Sequence, residues 1–235
     1  MKILVTGANR GLGLALTTES AIRGHKVVAA GRNSIALRDG LKPLMDKYPG
    51  QVKPVTLDVT NESSIQSAVK TMKETEQTID VIINNSGVLT EREKDIEHLN
   101  IDEVHRTFDV NLYGPMRIVK YFLPLLSNQS FQRGTIINIS SEAGSYVNAY
   151  GGDYPYALSK HALNMFSQQL RHYLKERGIR VFAVHPGWIK TDMGGEQAPG
   201  TPEETATGIL DIIEGKRAVS SDVTFINFRG EAMQP

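Results

Sequence analysis

Short apolar runs rich in β-branched residues alternate along this chain with longer stretches of helical period, and no other feature of the sequence constrains the fold as much. Each run has the character of a strand covered on both faces, and such a strand reaches its parallel neighbour through a helical crossover. The runs fall at residues 2–5, 25–30, 51–56, 78–83, 134–139, 179–184 and 222–227. The helices predicted between them cover 12–23, 34–47, 61–77, 102–126, 154–177 and 202–214. Gly178 stands where a C-cap glycine ends the fifth helix, and Pro202 suits the first turn of the sixth. Two polar, glycine-bearing stretches, 144–153 and 194–200, read as loops, and the alternation resumes after each. The 235 residues therefore read as one domain, 1–235, with an α/β, doubly wound architecture: seven mostly parallel strands with helices on both faces.

Composition narrows the partner. Twenty-six basic residues balance twenty-six acidic ones, so nothing argues for electrostatic capture of nucleic acid or an anionic membrane. The absence of cysteine excludes disulfide scaffolds, cysteine-ligated metals and thiol nucleophiles. No metal site is expected, because the six histidines form no ligand-like pair and read as packing or surface residues. The apolar run at the N-terminus stops after Val5 and no later stretch is long enough to span a bilayer, so a cytoplasmic protein acting on a small molecule is expected.

The first strand runs directly into Thr6-Gly7-Ala8-Asn9-Arg10-Gly11-Leu12-Gly13 and then into a helix. Glycines in such a turn let backbone N–H groups approach a pyrophosphate at the helix N-terminus, where unpaired donors and the helix dipole favour negative charge. The context is that of a dinucleotide site in a Rossmann-type fold, and no G-K-[ST] follows to suggest a nucleotide triphosphatase. After the second strand, Gly31-Arg32 occupies the place where an NAD site carries an acid for the ribose 2′-OH. Arg32 is a bidentate donor suited to a 2′-phosphate and Arg10 is within reach of the same group, so NADP(H) is favoured over NAD(H). Asp58 suits either the adenine amine or the cap of the next helix. Asn85 and Gly87 would bring backbone close to the adenine-side ribose.

Tyr156 and Lys160 leave one face of a helix one turn apart. A neighbouring ammonium favours the phenolate, so the expectation is a tyrosine pKa lowered from about 10 toward working pH. The other tyrosines of the preceding loop, Tyr146, Tyr150 and Tyr154, have no lysine at this spacing, and Tyr173 has only Arg177. Ser140 and Ser141 follow the fifth strand run, where a hydroxyl can hydrogen-bond a carbonyl oxygen as it gains charge.

Taken in chain order, Thr6–Gly13, Asp58-Val59, Asn84-Asn85-Ser86-Gly87, Asn111, Asn138-Ile139-Ser140-Ser141, Tyr156-Ala157-Leu158-Ser159-Lys160 and Pro186-Gly187 with Thr191 give a sequence that resembles the short-chain dehydrogenase/reductase superfamily over essentially its whole length. Within it, the chain is most similar to the C-factor and sniffer-like carbonyl reductases. The resemblance implies an NAD(P)(H)-dependent oxidoreductase, and an NADPH-dependent reductase of small ketones or aldehydes is the leading expectation. It implies Tyr156 as acid–base, Lys160 on the nicotinamide ribose and Asn111 in a water-linked proton relay. Ser141 is preferred to Ser140 for the carbonyl, because the family's serine directly precedes the x-x-Gly of Glu142-Ala143-Gly144. The coenzyme would lie among Gly7, Asn9, Arg10, Gly11, Leu12, Gly13, Arg32, Asp58, Val59, Asn85, Ser86, Gly87, Tyr156, Lys160, Pro186, Gly187, Trp188, Ile189 and Thr191. Ser86 departs from the family's usual alanine, and the interval from Ser141 to Tyr156 is longer than usual, so 144–153 should bulge over the site.

Two other functions compete: an alcohol dehydrogenase working in the oxidative direction, and a non-catalytic dinucleotide sensor. Intact Asn111, Ser141, Tyr156 and Lys160 argue against the sensor, since binding alone needs no proton donor. The family's habits also suggest a homodimer or homotetramer built through helices 102–126 and 154–177. The stretch 192–201 is short for a lid, which leaves 144–153 and its tyrosines to supply contact area for several small or aromatic carbonyl compounds.

Overall fold

The computed structural model describes residues 1–74, 78–129, 132–219 and 224–235. Its strands are β1 Lys2–Thr6, β2 Lys26–Gly31, β3 Val52–Thr56, β4 Val81–Asn84, β5 Asn128–Gln129, β6 Gln132–Arg133, β7 Thr135–Ile139, β8 Arg180–His185 and β9 Phe225–Asn227. Its α-helices are α1 Gly11–Ile22, α2 Ser34–Lys47, α3 Glu62–Glu74, α4 Ile101–Phe108, α5 Gly114–Phe122, α6 Tyr154–Leu174 and α7 Pro202–Ile213. Seven strands form one sheet in the order β3-β2-β1-β4-β7-β8-β9. Every neighbouring pair in it is parallel. All seven predicted strands appear, with boundaries moved by up to three residues; the expected positions 75–77 and 222–223 lie outside the described residues. No helix among those described is long and apolar enough to cross a membrane.

Period-two alternation sorts the strand side chains between two cores. Ile3, Val5, Val27, Ala29, Val81, Ile83, Ile137 and Val184 face Leu16, Leu37, Leu41 and Leu210 of α1, α2 and α7. Leu4, Val28, Ile82, Ile136 and Val181 face Ile65, Met72, Ile118, Phe122 and Leu170 of α3, α5 and α6. At about 1.5–3 kcal/mol for each large side chain fully buried, these two layers supply the main driving force for folding.

The stretch 102–126 differs from expectation. It is not one helix, because a π-helical turn, Asp109–Tyr113, separates α4 from α5. Pro115 lacks the N–H that would donate to the Asn111 carbonyl, so the regular ladder cannot run through. The widened turn carries Asn111 inward, where it is fully buried.

At the amino ends of the strands, α1 and α7 are tied by charge. The Arg23 guanidinium donates to Glu19, Asp211 and Glu214 at 2.8, 2.8 and 2.7 Å. Glu214 also meets His25 and Lys216, at 2.8 and 2.7 Å. Burial alone would raise the Glu214 pKa, but hydrogen bonds from Lys216, His25 and Arg23 outweigh it and hold the group down from the usual 4.5 to about 2. A carboxylate with a depressed pKa stabilises the fold above its unfolded value, and the contribution is lost as pH falls through the folded one. Glu214→Gln should therefore cost about 2 kcal/mol in urea unfolding at pH 7, between the values for exposed and fully buried pairs. The difference from wild type should shrink as pH is lowered from 4.5 toward 2.

Candidate active site

In a parallel sheet all carboxyl ends share one rim, and a crevice opens where the strand order reverses, here between β1 and β4. The turn after β1 lines this crevice. Gly7 and Gly11 have φ of 66° and 50°, a left-handed backbone that other residues adopt at a cost. A Cβ on Gly13 would stand 2.0 Å from the Gly7 carbonyl oxygen, so only glycine lets α1 pack on the turn. Across the crevice, Thr6 Oγ1 accepts from the backbone N–H groups of Asn85 and Ser86, both at 3.0 Å. The Asn85 amide donates to the Thr6 carbonyl at 2.9 Å, so this side chain braces the turn and leaves backbone to face the crevice. Asn9 packs beneath α2, where a Cβ on Gly40 would lie 2.9 Å from its carbonyl oxygen.

Other predicted positions separate by what their side chains do. Leu12, Val59 and Ile189 are buried in the two cores, so what they can offer a ligand is backbone. Asp58 Oδ1 accepts from Thr60 N and Thr60 Oγ1 at 2.9 and 2.7 Å, closing a turn before α3, whose cap is instead Asn61, with Oδ1 accepting from Ser64 N at 3.1 Å. Arg32 is exposed and makes no hydrogen bond or ion pair with a described residue. Arg10 is paired with Asp192, so Arg32 is the uncommitted cation of the two.

The polar groups after β7 converge with α6. Ser140 is buried and donates to Asn164 Oδ1, which makes it a structural pin between strand and helix. Ser141 accepts from Ala143 N at 3.1 Å, capping a 3-10 turn at Glu142–Gly144, and its hydroxyl acts on the Tyr156 phenol to lower the phenol's pKa. Lys160 is 4% exposed, donates to the Ile139 carbonyl at 2.7 Å, and stands 5.5 Å from the Tyr156 ring centroid. Asn111 joins this group from the π-turn. Its amide bonds both backbone groups of Val88 at 2.9 Å and donates to Ser159 Oγ at 3.0 Å. Gly87 sits between, where a Cβ would lie 3.5 Å from Asn111 Oδ1 and 3.7 Å from Lys160 Nζ.

The ionisation of the pair differs from the sequence expectation. Burial of the phenol raises the Tyr156 pKa above its usual 10, and the Ser141 hydroxyl offsets this only in part. Lys160 spends its direct hydrogen bond on Ile139 rather than on the phenol, and burial brings its own pKa down from 10.5 to about 8.

The short chain dehydrogenase family model matches residues 1–201. The chain belongs to this family. Among solved structures it is similar to the NADPH-bound carbonyl reductase from chicken fatty liver, with a TM-score of 0.89 at 30% identity, covering 100% of this chain and 98% of that one. It is similar to the carbonyl reductase Sniffer of D. melanogaster, also at 0.89, with 28% identity and coverage of 100% and 99%. The NADP-dependent 3-hydroxy acid dehydrogenase of Schizosaccharomyces pombe is 32% identical over 224 residues, 88% of this chain and 85% of the relative.

Short-chain dehydrogenases use NAD(P)(H), and the rim of this one fits such a group. The first turn of α1 has neither an acidic residue nor a side-chain cap, so its N–H groups are open to an anion. Thr191 faces the glycine turn, with Cγ2 3.3 Å from where a Cβ on Gly11 would be. Pro186 is held through its carbonyl by Thr205 at 2.8 Å. Gly187 has φ of 83°, and Trp188, 58% exposed, donates to the Gly194 carbonyl at 2.7 Å. The segment 188–200 is closed on itself by a bridge between Ile189 and Gly200, and Arg92 reaches it through the Met193 carbonyl at 3.0 Å. The expected insert lies at the mouth: Asp153 Oδ1 accepts from Glu93 N at 3.1 Å, and Tyr150, Asp153 and Arg92 all act electrostatically on Tyr156.

Two histidines that the sequence marks only as packing or surface touch the Ser141 turn. His185 Nδ1 lies 3.1 Å from Glu142 N, and His161 Nδ1 lies 3.0 Å from the Gly144 carbonyl. No short-range spacing announces either contact, because the partners are 43 and 17 residues away. The turn also needs Gly144 itself, since a Cβ there would stand 2.7 Å from the Lys160 carbonyl carbon. Gly144→Ala should push the turn off α6, cost about 1–3 kcal/mol in chemical unfolding as other overpacking changes do, and lower turnover more than coenzyme affinity. Unfolding curves and steady-state kinetics check both.

Proposed function

We propose that this short-chain dehydrogenase is a cytoplasmic, NADPH-dependent reductase of small ketones and aldehydes, with Tyr156 as the proton donor. The observation that carries the reading is the gathering of Ser141, Tyr156, Lys160 and Asn111 on one rim, with Lys160 Nζ 5.5 Å from the ring of a Tyr156 phenol that burial holds above the usual tyrosine pKa. Such a phenol keeps its proton at neutral pH. It is therefore an acid ready to protonate a carbonyl oxygen, and a purely sensing role would have no use for it.

When bound, the reduced nicotinamide supplies hydride. Ser141 hydrogen-bonds the carbonyl oxygen, and Tyr156 donates its proton to that oxygen as charge develops. Lys160, with a pKa of about 8, is mostly an ammonium at neutral pH and favours the phenolate left behind. Asn111 and Ser159 fix the wall beside Lys160, where a water-linked path can return a proton to the phenol. The glycine turn, with Gly7, Asn9, Gly11 and Gly13, holds the pyrophosphate through backbone N–H groups, and Arg32 takes the 2′-phosphate. Tyr146, Tyr150 and Trp188, all exposed at the mouth, supply aromatic contact for small or aromatic carbonyl compounds. The carbonyl reductases of chicken and D. melanogaster and the NADP-dependent relative of Schizosaccharomyces pombe support this assignment. A groove between α5 and α6, lined by Tyr113, Met116, Phe166 and Tyr173, suits a second copy of the chain, and sedimentation velocity tests that assembly.

The test is a carbonyl panel followed by NADPH oxidation. Tyr156→Phe should keep NADPH binding and lose nearly all turnover, and a variant with wild-type turnover would remove Tyr156 from its role. Arg32→Ala should weaken NADPH about ten- to a hundredfold while leaving NADH nearly unchanged, the loss of a hydrogen bond to a charged group. Equal affinity of the wild type for the two coenzymes would overturn the NADPH assignment.

A further inference from the structure

We propose that His185 is a positioning residue for Ser141, and that protonation of its ring disarms the active site on the acid side of neutrality. The inference rests on the carbonyl-reductase reading above and adds to it a residue outside the set assigned to substrate and coenzyme. His185 is the last residue of β8, and its side chain is 16% exposed. A backbone N–H can only donate, so the 3.1 Å contact from Glu142 N requires a bare, accepting Nδ1 and places the ring hydrogen on Nε2.

What that bond holds is the turn presenting Ser141. Glu142 N–H is one of the first donors of the 3-10 turn Glu142–Gly144, which has no earlier turn to bond to. Ser141 caps the same turn through Ala143 N. The far end is fixed to α6, where the Gly144 carbonyl accepts from His161 Nδ1 at 3.0 Å and Asn164 Nδ2 at 3.4 Å. The turn is thus a bridge from the helix that carries Tyr156 to the sheet, and His185 is its anchor on the sheet side. Without that anchor the turn keeps only the hold of Ser140 on one side and of α6 on the other, and the Ser141 hydroxyl between them is freer to move relative to the phenol.

Protonation removes the anchor directly. An imidazolium has two donors and no acceptor, so Nδ1–H would face Glu142 N–H. The groups around the ring offer one alternative. From the turn, the Glu142 carboxylate lies 3.8 Å from Nε2. Across β9 the register neighbour is Asn227, whose amide is occupied by Glu231. From α7, Thr205 is bonded to the adjoining Pro186 carbonyl. A charged ring is therefore drawn toward Glu142, away from the backbone bond. Burial holds the His185 pKa below its usual 6.5, Glu142 opposing this only in part, so at neutral pH the ring is bare at Nδ1 and the site is armed.

The experiment compares wild type, His185→Asn and His185→Leu between pH 5 and 8, measuring kcat for NADPH-dependent reduction of the best panel substrate alongside NADPH affinity. Asparagine places its side-chain oxygen near the position of Nδ1 and does not titrate. Expected are a wild-type kcat that falls on the acid side along a one-proton limb, and an Asn variant with near wild-type kcat at pH 7 and no such limb. The Leu variant should lose about ten- to a hundredfold in kcat, the scale of a small misplacement of a reacting group, with NADPH affinity unchanged. An acid limb that persists in His185→Asn, or a His185→Leu kcat equal to wild type, would overturn the proposal. An NMR titration separates this failure from failure of the enzymatic reading. Even if no carbonyl compound is turned over, the Glu142 amide resonance should shift with the same midpoint as the His185 ring, and independent midpoints would equally overturn it.

Discussion

Every strand pairing in the main sheet is parallel, and the arrangement of the site depends on that constraint. Parallel strands need a crossover each, so all the carboxyl ends, and the segments that follow them, gather on a single rim. Gly7, Arg32, Asp58, Asn85, Ser141 and Pro186 each come just after a different strand. The chain need only build one polar rim, while the opposite edge is free to be stitched for stability, as Arg23 and Glu214 stitch α1 to α7. At the centre of the rim, where β1 and β4 diverge in connection, the bonds from Asn85 and Ser86 to Thr6 keep the two edges of the crevice in register.

The distance from Ser141 to Tyr156 is a docking property of α6 on β7, and buried polar links set it. Asn84 donates to Asn138, and Asn138 to Ser167, both at 2.8 Å, running from β4 through β7 into the helix. Ser140 to Asn164 and Lys160 to the Ile139 carbonyl make two more links along the same seam. Buried polar groups cost about 1–3 kcal/mol each when left unpaired, so a slide of α6 along the strand would forfeit several partners together. The seam therefore holds the helix in one position where an apolar interface would tolerate several.

Backbone strain collects at the mouth. Glu91, Glu93 and Asp153 are the described non-glycine residues with positive φ, at 53°, 57° and 47°. Asp153 is the residue before α6 and binds Glu93 N, so two of the three left-handed residues meet in one contact between the loop after β4 and the insert before Tyr156, while Glu91 accepts from Asn100 N within the loop. Such conformations cost about 1–3 kcal/mol each and persist where their surroundings over-determine them. The same contact brings Arg92 to the 188–200 segment, so the walls of the opening are tied to one another.

The sequence by itself determined the sheet, its seven strands and the crevice with its glycines, and it brought forward Ser141, Tyr156 and Lys160 as candidates. Those features rest on local rules: period-two burial, the left-handed backbone that glycine permits, and side chains one helical turn apart. It also marked 144–153 as a segment that bulges at the site. Only the tertiary structure decided how these groups are tuned. Tyr156 is driven up by burial rather than down by Lys160, because the ammonium turns to the Ile139 carbonyl, and desolvation depends on what packs overhead. Arg10 was legible as a cation and not as the partner of Asp192. The break of 102–126 at Asn111 was written in Pro115 but gains its meaning from Val88 across the rim. His185 carried no signal in its neighbours, since its partner, Glu142, comes from another strand end, and a parallel sheet brings such residues together only when it closes.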